Sequence, residues 1–421
     1  MNKTKSNFSK FILLWTGELI SSIGGGLTSF GLGVYIFQKT GSASGMALVT
    51  LLGFLPTLLL SVPAGVLADR YDRRLLMMIG DGFSALGIAF ILICMMTGEA
   101  KLWQICLGVF VSSVFSSLLE PSFRATITDL LTKEEFSKAS GLVSLAGSAR
   151  YLFSPVIAGF LLTISDVRLL LIIDVCTFVL TVISAAVVRR GIETKPVEQK
   201  ESFATSLKEG WKSLTDKKGI IILVLVSSVI SMFMGMFQIL AEPCILAFKD
   251  AKTLGIAETI CASGMLVSGL ILGIKGIKKN YVTILAMALS MAGVFMAGFG
   301  MIENIYSICV CGFLFFAALP FANNCLDYLV RTNISDEVQG RAWGLIGFIS
   351  QMGYVVAFAV SGVAADAIGN ITGRGVGRGA AFVIMFAGAS LAVSGICILF
   401  IRSIKTLVPE TACDTHNVKS A

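Results

Sequence analysis

The sequence predicts an all-α polytopic membrane protein with twelve transmembrane helices in two pseudo-symmetric six-helix bundles. Three observations predict it. Twelve apolar segments, each near the roughly 17 to 25 residues that cross a hydrocarbon core, run through the 421 residues with only short charged joints between them. Composition is 55% hydrophobic and 14% charged, with a mean hydropathy of +0.86, which leaves too little polar surface for a water-exposed fold. The chain also repeats itself: the joint between the fourth and fifth segments recurs in its second half.

In chain order the spans are expected near 11–37, 43–68, 75–97, 102–125, 141–164, 169–188, 219–248, 255–274, 281–300, 304–328, 342–368 and 380–401. Each must be helical, because lipid offers backbone polar groups no partner and the short alternating strands of a barrel are missing. The first is too long for a cleaved signal peptide. Its glycine-rich stretch and lack of a small-residue cleavage pattern predict that it is retained.

Basic residues set the orientation. With the N-terminus cytoplasmic, 25 of the 33 lysines and arginines fall on inner joints, span ends and tails, seven fall on outer joints, and Arg150 alone lies deep within a span. Both termini are therefore expected in the cytoplasm of a cell membrane. The net charge of +7 follows from this asymmetry, and its dispersal over many joints argues against nucleic acid as a partner. Ten cysteines lie almost wholly inside apolar spans with no CxxC pair, and the only histidine, His416, sits in a polar tail. They read as small core residues, with no metal site, no cofactor fingerprint and no catalytic triad, so no enzyme is expected.

The longest inner joint, Arg189 to Lys218, divides the spans six and six. The expected domains are an N-terminal bundle at 1–190, a linker at 191–218, a C-terminal bundle at 219–402 and a cytoplasmic tail at 403–421. Within the linker Phe203, Leu207, Trp211 and Leu214 recur at helical spacing opposite Lys208, Lys212 and Lys217, the pattern of a helix lying on the membrane surface. The halves echo each other without gaps between 132–142 and 335–345. Just upstream, Glu120 with Arg124 and Asp327 with Arg331 repeat an acid-to-arginine spacing of four, which puts each pair on one helix face. Duplicated six-helix units of this kind build transporters with a site between the halves.

After span two comes Gly65-Val66-Leu67-Ala68-Asp69-Arg70-Tyr71-Asp72-Arg73-Arg74. A glycine permits close helix contact, and an acid beside clustered arginines can form a charge-assisted latch at the cytoplasmic mouth. This joint resembles the Gly-x-Leu-Ala-Asp-Arg-x-Gly-Arg-Arg signature of the major facilitator superfamily, with Asp72 in place of the second glycine. The resemblance implies the major facilitator fold, alternating access and a monomer. It assigns Gly65, Asp69, Arg70, Arg73 and Arg74 to the latch, to which Asp81, one or two turns further on, is added. In span five, Gly141 followed by Ser154-Pro155-Val156-Ile157-Ala158-Gly159 is similar to the antiporter motif of superfamily exporters, although Arg150 stands where that motif has another glycine. Leu51-Leu52-Gly53-Phe54-Leu55-Pro56, the Asp72 variant and Ala262-Ser263-Gly264-Met265-Leu266 with Gly269 and Gly273 resemble the bacterial macrolide-efflux permeases, a branch of the drug:proton antiporters.

A charge near mid-membrane costs roughly 2.5–3.5 kcal/mol on insertion scales unless paired or hydrated. Glu18, Asp81, Arg150 and Asp174 are read as such residues, all in the first half. Glu18 and Asp174 are the expected proton carriers. Arg150, reckoned at a depth comparable to Glu18, is the expected counter-charge. In span seven, Met232, Phe233, Met236, Phe237 and Gln238 form the expected substrate-facing wall, because methionine and phenylalanine adapt to varied apolar ligands. The expected function is export of amphiphilic, macrolide-like compounds in exchange for protons. Transport of an endogenous solute such as a siderophore or peptide, in either direction, and a non-transporting scaffold or sensor stay open as alternatives.

Overall fold

A computed structural model describes residues 7–190, 211, 215, 218–334, 339–405 and 407. The expected interfacial helix over 191–218 lies outside the described residues apart from Trp211, Thr215 and Lys218, as does nearly all of the tail.

The described residues form α1 (Phe8–Thr40), α2 (Ala43–Arg70), α3 (Arg73–Thr97), α4 (Leu102–Ser116), α5 (Leu119–Leu130), α6 (Phe136–Ile164) and α7 (Val167–Arg189). After the linker come α8 (Lys218–Leu246), α9 (Ala251–Lys275), α10 (Tyr281–Met301), α11 (Ile305–Arg331), α12 (Gln339–Thr372), α13 (Gly375–Ile398) and the short α14 (Arg402–Lys405). Twelve stretches are long and apolar enough to cross a membrane, and no strand occurs among the described residues. The fourth span, expected as one helix over 102–125, is interrupted between α4 and α5. Pro121, in the first turn of α5, has no N–H to offer the Ser117 carbonyl. The amide of Leu118 tightens instead onto Phe115 O at 3.1 Å.

By contact the chain divides into unit 1, Met1–Glu198 with Lys249–Thr259, and unit 2, Gln199–Phe248 with Ile260–Ala421. The first turns of α9 therefore pack with unit 1. Asp250 caps them: its carboxylate accepts from the Thr253 amide at 2.9 Å, and bonds from Thr253 hold it below its ordinary value.

Unit 1 is layered along its helix axes. One apolar cluster joins Leu32, Ile36, Met46, Ile88, Ile91, Ile105 and Leu171, and a second joins Phe11, Leu14, Met77, Phe123, Leu130 and Val188. Each of α1, α3 and α7 contributes to both. Between the two clusters these helices carry seven buried polar residues, Thr28, Asp81, Ser84, Asp174, Thr177, Thr181 and Ser184. The centre of this unit, where lipid would favour apolar side chains, is its most polar layer.

Unit 2 is held by small residues. A Cβ added to Gly293 on α10 would strike the backbone of Gly388 and Ala392 on α13, and one on Gly300 would strike Ala381. Gly353 on α12 meets Ser228 and Met232 of α8 in the same way. With little hydrophobic drive between helices in lipid, such backbone approach gains van der Waals contact over long lines. The remaining interior holds Phe237, which stacks on Phe315 and meets Phe299 edge-on, each at 4.7 Å between centroids.

Candidate functional site

On α7, Asp174, Thr177, Thr181 and Ser184 follow at spacings of three and four, so they share one helix face. That face meets a glycine-lined stretch of α1. A Cβ at Gly17 would fall on Ser184 and Thr181, and one at Gly24 would fall on Thr177 and Asp174. The glycines thus let two backbones approach closely enough for polar groups to pair. Thr28 Oγ1 donates to Asp174 Oδ2 at 2.6 Å, while Thr177 Oγ1 donates to the Asp174 carbonyl at 2.7 Å and lies 3.4 Å from Oδ1. Arg150 adds a favourable charge nearby. A carboxylate so surrounded has its desolvation offset in part, chiefly by the Thr28 bond and the Arg150 charge.

Arg150 is exposed, its stem lies over Gly26, and its Nη2 donates to Ser29 Oγ at 3.2 Å. No ion pair links it to Glu18 among the described residues. The expected shared depth does not hold, for Arg150 packs on Gly26 and Ser29, eight and eleven residues beyond Glu18 on α1, about 12 to 16 Å along that helix. Its acidic neighbour is Asp174. Glu18, half-buried on α1, instead lies within electrostatic reach of Glu120, whose carboxylate pairs with Arg124 at 2.8 Å.

Asp81 departs from its expected place. It is buried against Thr181, with Glu18 and Asp174 close enough to interact with its charge, and it belongs to the polar layer, not to the arginine joint. Seven residues separate it from Arg74, about 10 Å along the helix.

The arginines of the joint converge on an acid that the sequence reading missed. Arg73 Nη1 bonds Asp129 Oδ1 at 2.7 Å, and Arg74 Nη2 bonds Asp129 Oδ2 at 3.1 Å. Arg73 also bonds the carbonyls of Ala125 and Ala68. Asp72 caps α3 through the Arg74 amide and receives Arg189 Nε at 2.6 Å. Asp69 is half exposed and only 4.0 Å from Arg73, and Arg70 is exposed. A Cβ on Gly65 would meet none of the described residues within 4 Å, so the close contact expected of this glycine is absent among them.

The antiporter-like segment divides similarly. Gly141 faces open space, but Gly159 lies against the backbone of Ala251, Lys252 and Gly255, and a Cβ on Gly255 would collide with the Pro155 carbonyl. Thr259 Oγ1 donates to Leu152 O at 2.9 Å. Pro155 and Gly159 thus dock the first turns of α9 onto α6 inside unit 1. Beside this seam a cavity of about 530 Å³ is lined by Lys39, Glu99, Asp166, Arg168, Asp250 and Lys252. Its charges balance, so it favours neither sign of ligand.

In unit 2 the expected apolar wall is only partly open. Phe233 and Phe237, four residues apart on one face, are buried in the core, whereas Met232 and Met236 are half-buried and Gln238 is exposed. The two phenylalanines are corrected to core residues. Ionisable residues are also not confined to the first half: Glu242 lies in α8 and Glu258 two turns into α9. Neither acid was singled out in the sequence, although both fall within the spans expected at 219–248 and 255–274. The hydroxyls of Thr28, Thr177 and Thr181 were missed too, although the spacing on α7 carried the signal.

The sequence model of the Major Facilitator Superfamily matches residues 14–358. Macrolide efflux protein A of Streptococcus pyogenes is 28% identical over 366 residues, covering 86% of this chain and 90% of that protein. Its namesake from Enterococcus faecalis is 27% identical over 72% of this chain and 96% of its own length. The multidrug efflux pump Tap of Mycobacterium bovis is 20% identical over 86% of this chain and 89% of that protein. Among solved structures, a bacterial homologue of the iron transporter ferroportin superposes with a TM-score of 0.74 at 14% identity, covering 96% of this chain and all of that one. The nucleoside transporter NupG superposes with a TM-score of 0.69 at 14% identity, over 93% and 100% of the two chains. Matched over most of its length by the family's sequence pattern and by its fold, this chain belongs to the Major Facilitator Superfamily.

Proposed function

We propose that this chain is a secondary active transporter of a bacterial cell membrane that exports amphiphilic, macrolide-like compounds from the cytoplasm in exchange for protons. The observation that carries the reading is its kinship, over most of its length, with macrolide and multidrug efflux proteins. Proton coupling is supported by carboxylates set at the middle depth of unit 1, where a change of charge alters the conformational equilibrium most strongly. Both termini are cytoplasmic on this reading, by the excess of basic residues on the inner joints, and the transporter works as a monomer.

Everted vesicles from cells producing the chain provide the test. Erythromycin should accumulate in energised vesicles and cease to do so with a proton uncoupler. Accumulation that persists with the uncoupler and follows a sodium gradient would replace protons as the coupling ion. A panel of siderophores and peptides, transported in place of erythromycin, would favour an endogenous solute.

Two substitutions probe the reading. Glu18→Gln keeps size and hydrogen bonding but removes a titratable charge, and it should reduce uptake of cationic substrates into everted vesicles more than that of neutral ones. Equal effects on both classes would remove Glu18 from the substrate's path. Asp69→Asn should impair export at normal abundance, since the acid acts in one conformation and not in insertion. Wild-type export by this variant would leave the joint with a topogenic role only.

A further inference from the structure

Asp174 and Asp81 lie in the same layer but are held very differently. Asp174 has the Thr28 and Thr177 hydroxyls and the charge of Arg150. Asp81 is 2% exposed, and its Oδ1 has no hydrogen-bond partner among the described residues. Every element around it withholds a counter-ion. From α7 it faces Thr181 and Asp174, and from α1 it faces Glu18. The α4 helix has no charged residue in its span, and its Ser112 carbonyl and Ser116 hydroxyl engage Ser84. On α5, Glu120 pairs with Arg124, and Asp129 with Arg73 and Arg74. On α2 the charges, Asp69 and Arg70, lie in the last turn.

The one polar contact of Asp81 is itself informative. Thr181 has a single hydroxyl proton, which it donates to the Phe178 carbonyl at 2.8 Å. An ionised Asp81 competes with that carbonyl for the single Thr181 proton, whereas a protonated Asp81 can donate to Thr181 Oγ1 and leave the Phe178 bond intact. A bare carboxylate here would leave Oδ1 without a donor and a buried charge without a counter-ion.

We propose that Asp81 is the carboxylate that loads and unloads the coupling proton, with Thr181 as the positioning residue beside it. Loading forms an O–H bond on Asp81 and makes the layer less negative; unloading breaks that bond and restores the charge. The repulsion that Asp81 then exerts on Glu18 and Asp174 is the differential interaction that biases the two conformations of the transporter. This assignment rests on the proton-antiport reading above.

The test uses the full chain in liposomes enclosing a pH-sensitive dye, with erythromycin as probe. In Asp81→Asn, erythromycin-dependent proton movement should fall by about tenfold or more, while exchange of labelled erythromycin across vesicles without a gradient continues. Asp81→Glu should recover part of the proton movement, and so should Thr181→Ser relative to Thr181→Val. Wild-type protein that exchanges erythromycin but moves no protons would overturn the antiport reading and this assignment with it. Proton movement at the parental rate in Asp81→Asn, with the wild type coupled, would overturn the assignment of Asp81 alone. A second measurement on the wild type does not depend on the folding of any variant. Dicyclohexylcarbodiimide attacks protonated carboxyls in apolar surroundings, so peptide mass spectrometry should find Asp81 modified, and less so at high pH. Modification of Glu18 or Asp174 with Asp81 untouched at every pH would overturn the proposal.

Discussion

Asp129→Asn is expected to destabilise unit 1 by about 3 kcal/mol, the lower end of the range for breaking a buried ion pair, because Asp129 is itself partly solvated. Arg74 is the reason. It is fully buried, two of its guanidinium nitrogens already lack partners among the described residues, and Asp129 supplies the bond to the third. Asparagine keeps the shape and removes the charge. Thermal melting of the purified protein in detergent, followed by fluorescence-detected size exclusion, measures the effect. Pairing Asp129→Leu with Arg74→Met should recover most of the loss, since two apolar groups leave no buried charge unmatched. By contrast Asp69→Asn, a half-exposed acid 4.0 Å from its partner, should change melting by less than about 1 kcal/mol. An Asp129→Asn protein that melts with the parent would mean that Arg74 is neutralised by some other group.

Gly255→Val should be nearly as damaging, and through packing alone. The added Cβ would fall on the Pro155 carbonyl, with the backbone of Gly159 just beyond, and no flexible side chain can yield. Overpacking costs about 1–3 kcal/mol, which corresponds to a roughly 5- to 150-fold shift in any equilibrium that includes the docked arrangement of α6 and α9. Export of erythromycin in everted vesicles should fall accordingly, with Gly255→Ala intermediate. Gly141→Val, on the same α6 but facing open space, is the control, and equal loss in both variants would show that the effect comes from helix propensity.

The twelve spans were legible in the sequence because lipid allows only one solution for an apolar stretch of that length, and the helices differ from expectation mainly by a few residues at their ends. The interruption before Pro121 was legible in principle, being a local consequence of a missing N–H. Asp129 was not. Its partners lie 55 and 56 residues away, and nothing in local spacing tells which acid a buried arginine will meet. Glycines carry the same ambiguity. Gly65 and Gly159 both sit in recognisable motifs, yet only one contacts a neighbouring backbone, since a small residue permits close approach without specifying it. The misplacement of Phe233 and Phe237 had a remedy at hand, for they are four residues apart and Gln238 lies on another face. A composition of methionine and phenylalanine says what a wall is made of, whereas periodicity says which side of it is open.

The layering of unit 1 has an electrical consequence. Two apolar clusters, one around Ile36, Ile91 and Leu171 and the other around Phe11, Met77 and Val188, insulate the carboxylates between them like the plates of a pair of capacitors in series. A charge crossing the whole membrane exchanges about 2.3 kcal/mol per 100 mV, and one that stops at the middle layer exchanges a share set by the thickness of each insulator. Protonation from one side is therefore assisted by the voltage and from the other side opposed by it, in addition to any concentration difference. Thinning one insulator with a polar residue, as in Ile91→Ser, would redistribute the field and admit ions without substrate, a leak measurable as current in a planar bilayer.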